Sequence, residues 1–106
     1  MTSESFRRLA LSFPETSESA HMGHPDFRAH GRIFATLSGD LKSGMVKLSP
    51  ELQREFLAEN STMFAPVKGA WGAQGATRVD LKAVDEETLG RAMTEAWKLS
   101  AMKSKR

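Results

Sequence analysis

The chain has 106 residues, 40% of them apolar and 26% charged, which is too apolar for disorder and too interrupted by charge for a membrane span. It contains no cysteine, so disulfides, thiolate nucleophiles, iron–sulfur clusters and cysteine-based zinc sites are excluded. The net charge of +2 rests on Lys103, Lys105 and Arg106, without which the balance is −1. The length predicts one domain over 1–106, with 103–106 a frayed basic tail. No charged leader followed by an apolar stretch opens the chain, so a reducing cytoplasm is the expected compartment, with no membrane partner.

Residues 3–12 read as a first helix, with Ser3 as N-cap, Glu4 in the first turn and Phe6, Leu9, Ala10 and Phe13 on one stripe. Pro14 ends it. From Ser17 to Ser49 the chain alternates apolar and polar residues between Gly23-His24-Pro25, His30-Gly31 and Ser38-Gly39-Asp40, which predicts consecutive antiparallel strands with reversals at those points. Ser49-Pro50-Glu51 starts a short helix whose buried side is Leu52, Phe56 and Leu57, closed by Asn60. Residues 63–67 predict a strand. Gly69, Gly72 and Gly75 then bracket Trp71 in a loop before a strand from Thr77 to Lys82. Asp85 caps the longest helix, on which Leu89, Ala92, Met93, Ala96, Trp97 and Ser100 follow helical spacing. The order α-β-β-β-β-α-β-β-α predicts an α+β fold, a mainly antiparallel sheet with the helices packed on one face.

Three segments, HMGHPDFRAHGRIFATL at 21–37, KLSPELQREFL at 47–57 and KGAWGAQGATRVDL at 68–81, together with LALSFPE at 9–15 and Ala96-Trp97, resemble the MmcQ/YjbR family of small bacterial proteins in order and spacing. The resemblance implies a frataxin-like α+β fold, also described as a double-wing arrangement, for which DNA binding has been suggested from shape. It implies no established activity. The positions that match the family's pattern are Gly23, His24, Pro25, Phe27, Arg28, Lys47, Ser49 and Pro50. Frataxin holds iron on an acidic first helix, whereas 3–12 carries Glu4 against Arg7 and Arg8, so neither iron nor any other cofactor is expected.

In a strand, side chains two apart share a face. Alternation places Phe27, Ala29, Ile33, Ala35, Leu37, Val46, Leu48, Val79 and Leu81 toward the core. Arg28, His30, Arg32, Phe34, Lys47, Arg78 and Lys82 then fall on the opposite face. The strand regions 21–48 and 62–84 hold seven bases against three acids, and the remainder outside the tail holds five against ten, a segregation that orients an anionic partner. Interleaved cations and an aromatic ring on one sheet face suit phosphates and a base, which predicts a module that binds DNA or another polyanion. The plainer explanation is a wet sheet face neutralised by cross-strand pairs such as Arg78 with Asp26.

Two other classes stand beside this one. A protein-interaction adaptor with no nucleic-acid role would use Trp71 or Phe34, and a small-molecule site would lie beside His24. In its glycine-rich loop Trp71 either packs as a lid on the core, which we expect, or stands exposed as an anchor; Trp97 is expected in the core. His21, His24 and His30 lie near Glu18 and Asp26, the right donor types for zinc or nickel, but their spacing does not converge and no metal site is expected. Ser38 and Ser49 have turn and cap explanations and no G-x-S-x-G occurs, so no catalytic residues are expected.

Overall fold

The computed structural model describes residues 1–103, apart from the side chains of His21 and Lys103; of the basic tail expected at 103–106, residue 103 ends a helix and 104–106 lie outside the described residues. Helix α1 (Ser3–Leu11) is capped by Thr2, one residue earlier than expected, whose hydroxyl accepts the Ser5 N–H at 3.0 Å. Strands β1 (Thr16–His21) and β2 (His24–Ala29) meet through Met22-Gly23, and β2 and β3 (Arg32–Leu37) through His30-Gly31. All four linking residues have positive φ, the backbone that matches a tight reversal to the strand twist. The first reversal therefore precedes His24 and Pro25, which belong to β2 rather than to a turn.

After β4 (Ser43–Lys47), helix α2 (Pro50–Glu59) starts as its sequence dictates, with Ser49 Oγ accepting the Leu52 N–H at 3.2 Å and Pro50 in the first turn. Strand β5 (Phe64–Pro66), a four-residue helix α3 (Ala70–Ala73) inside the expected glycine loop, and β6 (Ala76–Asp80) follow. Helix α4 (Glu86–Lys103) is capped by Asp85, whose carboxylate accepts the Thr88 N–H at 2.7 Å and hydroxyl at 3.0 Å.

The six strands form one sheet in the order β1-β2-β3-β4-β6-β5, every pairing antiparallel. Phe6 and Ala10 of α1, Phe56 of α2 and Leu89, Ala92, Met93 and Ala96 of α4 meet Phe27, Leu37, Val46 and Val79 of the sheet in one buried cluster. The fold is α+β with the long helices on one face, which leaves the other face open.

One irregularity resets which residues reach that open face. Phe27 opposes Ala35 but Arg28 opposes Ile33, so β3 carries one extra residue, a β-bulge. Phe34 and Ala35 are consequently both fully buried. Strict alternation puts Phe34 beside Arg32 on the open face; instead it lies in the core, edge-on to Phe13 at 6.2 Å between centroids. Burying a phenylalanine side chain is worth about 1.5–3 kcal/mol, a gain that the bulge secures for Phe34. Ile33, expected in the core, takes the open face instead.

Candidate functional site

Paired positions share a face, so the register maps the open side of the sheet. Asp26, Thr36, Met45, Arg78 and Ala65 form one row across five strands, and Arg28 with Ile33 belongs to the next. Two adjoining cavities bound this side, and the larger runs from it round the start of β3 to α4. The register pairs Arg32 with the buried Ala29, so Arg32 enters that cavity from the helix side and not from the open face where alternation puts it. This cavity, of about 430 Å³, is lined by Arg28, Arg32, Ile33, Lys47, Trp71 and Gln74, with Ala96, Leu99 and Ser100 of α4 as its far wall. The other, of about 250 Å³, is lined by Met22, His24, Asp26, Ile33, Thr36 and Trp71. Ile33 and Trp71 are walls of both.

The cations are held in place. Arg28 Nε donates to Asp26 Oδ1 at 3.0 Å and Nη2 to Oδ2 at 3.3 Å. The Asp26 carboxylate raises the guanidinium pKa, first through these hydrogen bonds and then through its charge. Lys47 Nζ donates to the Gln74 carbonyl at 3.1 Å, joining the end of β4 to the end of α3. The carboxylate that offsets part of the positive face is thus matched to Arg28 on its own strand and not to Arg78, from which Thr36 and Met45 separate it.

Trp71 is 49% exposed, so it covers the open face and not the core, contrary to the expected packing. Its helix is fixed from below. The buried Gln53 Nε2 donates to the carbonyls of Gly72 and Ala76, each at 3.0 Å, and to Thr77 Oγ at 3.2 Å, while Thr77 Oγ donates to the Gly75 carbonyl at 2.9 Å. Gly72 approaches the Val67 carbonyl so closely that a Cβ would sit 1.6 Å from its oxygen, which only glycine permits. This knot of hydrogen bonds and the close approach at Gly72 together hold the helix that carries the indole.

Of the remaining candidates, His24 lines the smaller cavity with its ring beside Gly39. Arg78 is exposed on the open face but lines neither cavity. Lys82 lies beyond the end of β6, in a turn where its N–H donates to Asp80 Oδ1 at 3.0 Å, so it does not join the face. His30 is also displaced: the reversal after Ala29 carries it to the helix side, where Nδ1 lies 3.0 Å from Ser100 Oγ and the ring packs on Trp97. Ser100 Oγ gives its proton to the Trp97 carbonyl at 2.6 Å, so the imidazole is the donor in that bond. Trp97, expected in the core, sits at its margin, stacked on Phe13 with Nε1 donating to the Pro14 carbonyl at 3.1 Å.

Among the described side chains, the metal-donor types noted in the sequence are spread apart. Glu18 takes Arg7 Nε at 2.9 Å, Asp26 holds Arg28, and His24 and His30 lie on opposite sides of the sheet. Alternation missed Ile33, Thr36, Gln74 and Ser100. The available signal was Ile33-Phe34-Ala35, three consecutive apolar residues in a strand with one wet face, which is the mark of a bulge.

Fold and cavities together define a small α+β protein whose sheet carries a grooved, partly cationic surface across its open face and round its rim to α4. A family model for YjbR matches residues 11–99, and the chain belongs to the YjbR family. Among solved structures it is similar to the Deinococcus radiodurans protein DR2400, described with a DUF419 domain, at 20% identity and a TM-score of 0.80, over 96% of this chain and 80% of that one. That likeness carries the fold. No curated protein matches the chain.

Proposed function

We propose that the chain is a binding module whose open sheet face takes a single strand of nucleic acid. The observation that carries this reading is that Arg28, Arg32 and Lys47, from three successive strands, line one cavity with the half-exposed Trp71. Cations hold phosphates, and an exposed indole offers a stacking surface to any base. The bidentate bond to Asp26 occupies Nε and one Nη2 hydrogen of Arg28, and the other guanidinium hydrogens remain for a phosphate oxygen.

The test is fluorescence anisotropy of a labelled single-stranded oligonucleotide across a salt series. Three phosphate contacts predict a slope of log affinity against log salt of about −2, weaker binding of duplex, and loss of most binding in the variant Arg32→Gln/Lys47→Gln. Equal indifference to single and double strands at low salt overturns the reading. Salt-indifferent capture of a protein through Trp71 would favour the adaptor class instead.

A further inference from the structure

We infer that the smaller cavity, beside His24, receives one unstacked nucleobase of the ligand whose phosphate lies against the neighbouring cations; this rests on the reading above and extends it to a recognition mode. Three observations converge. The cavity is walled by apolar groups, the Met22, Ile33 and Trp71 side chains. Its one carboxylate, Asp26, is 2% exposed and already bonded to Arg28. A charged group has little to gain there, whereas a neutral planar ring gains burial and a stacking partner.

Second, Ile33 and Trp71 bound both cavities. A ligand that fills the pair must carry an anion and a flat apolar ring a short covalent distance apart, which is the chemistry of a nucleotide, free or within a strand. Third, the polar groups lining the cavity that are not engaged with Arg28, the His24 imidazole and the Thr36 hydroxyl, can each donate or accept a hydrogen bond. Such groups can satisfy the edge of any base, so the site requires a base without selecting one. A base within a duplex is paired and stacked and cannot enter, which is the physical origin of the expected preference for single strands.

The experiment compares an intact single strand with an abasic strand of equal length, and adds a free nucleoside and a nucleoside monophosphate, with NMR observation of the Trp71 indole and Thr36 methyl signals. The expected result is about tenfold tighter binding of the intact strand, little dependence on base identity, and shifts of both signals. In Trp71→Ala the ratio of intact to abasic affinity falls toward one, and Trp71→Phe restores most of it. A monophosphate that binds as tightly as the strand supports the inference and assigns the site to free nucleotides. Equal, salt-sensitive affinities for intact and abasic strands overturn the inference while the anion reading stands. Shifts with the nucleoside and no binding of either strand remove the anion reading and keep the base site. Unmoved Trp71 and Thr36 signals with every ligand overturn it outright.

Discussion

Asp26 and Arg28 stand two residues apart on β2 and form a bidentate ion pair in which the carboxylate side chain is 2% exposed and the arginine 45% exposed. The pair links the two cavities, because Asp26 lines the smaller and Arg28 the larger. A buried carboxylate strongly disfavours the loss of its partner, so Arg28 is oriented before any ligand arrives. Orientation in advance reduces the ordering cost of binding.

Arg28→Lys tests orientation separately from charge. Lysine keeps the positive charge but cannot reproduce the fork that grips Asp26. We expect a lower melting temperature and a severalfold loss of oligonucleotide affinity at unchanged net charge, measured by thermal unfolding and anisotropy. An unchanged affinity would mean that charge alone matters at this position.

The bulge in β3 makes opposite demands on adjacent residues. Phe34→Ala empties a fully buried site and should cost about 3–5 kcal/mol in urea unfolding. Ile33→Ala, at a position already partly in water, should cost distinctly less. The reverse order would restore the unbroken alternation and remove Ile33 from the open face.

Gln53→Leu keeps the approximate size of the side chain but leaves the Gly72 and Ala76 carbonyls without its amide. We expect a loss of roughly 1–3 kcal/mol together with greater mobility of the Trp71 indole, read from NMR relaxation. Loss of stability with no change at Trp71 would show that the knot holds α2 alone.

Two carboxylates couple folding to acid. Asp85 is held below the usual aspartate range by the Thr88 N–H and then the Thr88 hydroxyl, and Asp40 by the Ser38 hydroxyl and then the Lys42 N–H. A depressed folded pKa contributes stability that is present above the unfolded value, about 3.9, and disappears as pH falls through the folded one. Stability should therefore drop below about pH 4. Asp85→Asn, which still caps a helix but does not ionise, should make that drop shallower in denaturant midpoints measured across the acid range. An equally steep drop would assign the acid sensitivity to other groups.

Local chemistry was the legible part of this fold. Ser49-Pro50 and Asp85 start helices through bonds to residues three positions on, and a short window of sequence contains both partners. Period-two spacing also places Arg28 and Lys47 on one side of the sheet, where Trp71 joins them at the larger cavity, while Arg32, paired with Ala29, reaches the same cavity from the helix side. What escaped depends on partners distant in sequence or on a single inserted residue. The bulge moved Phe34 inward and Ile33 outward. The side chain of Asp80 bonds the Lys82 N–H and its carbonyl the Ala83 and Val84 N–H groups, which ends β6 before Lys82 can join the face. Gln53 is buried only because Gly72, Ala76 and Thr77 reach it from some twenty residues away, and that same knot explains why the glycine loop folds as α3 and presents Trp71 to solvent.

The most direct measurement is a two-dimensional NMR titration of the uniformly labelled chain with a short single-stranded oligonucleotide at low salt. The predicted result is a set of shifts confined to Arg28, Arg32, Ile33, Thr36, Lys47, Trp71 and Gln74, reversed by added salt. Shifts gathered instead on the groove between α2 and α4, around Glu55, Arg91 and Glu95, or no shifts at all, would contradict the assignment of the open sheet face.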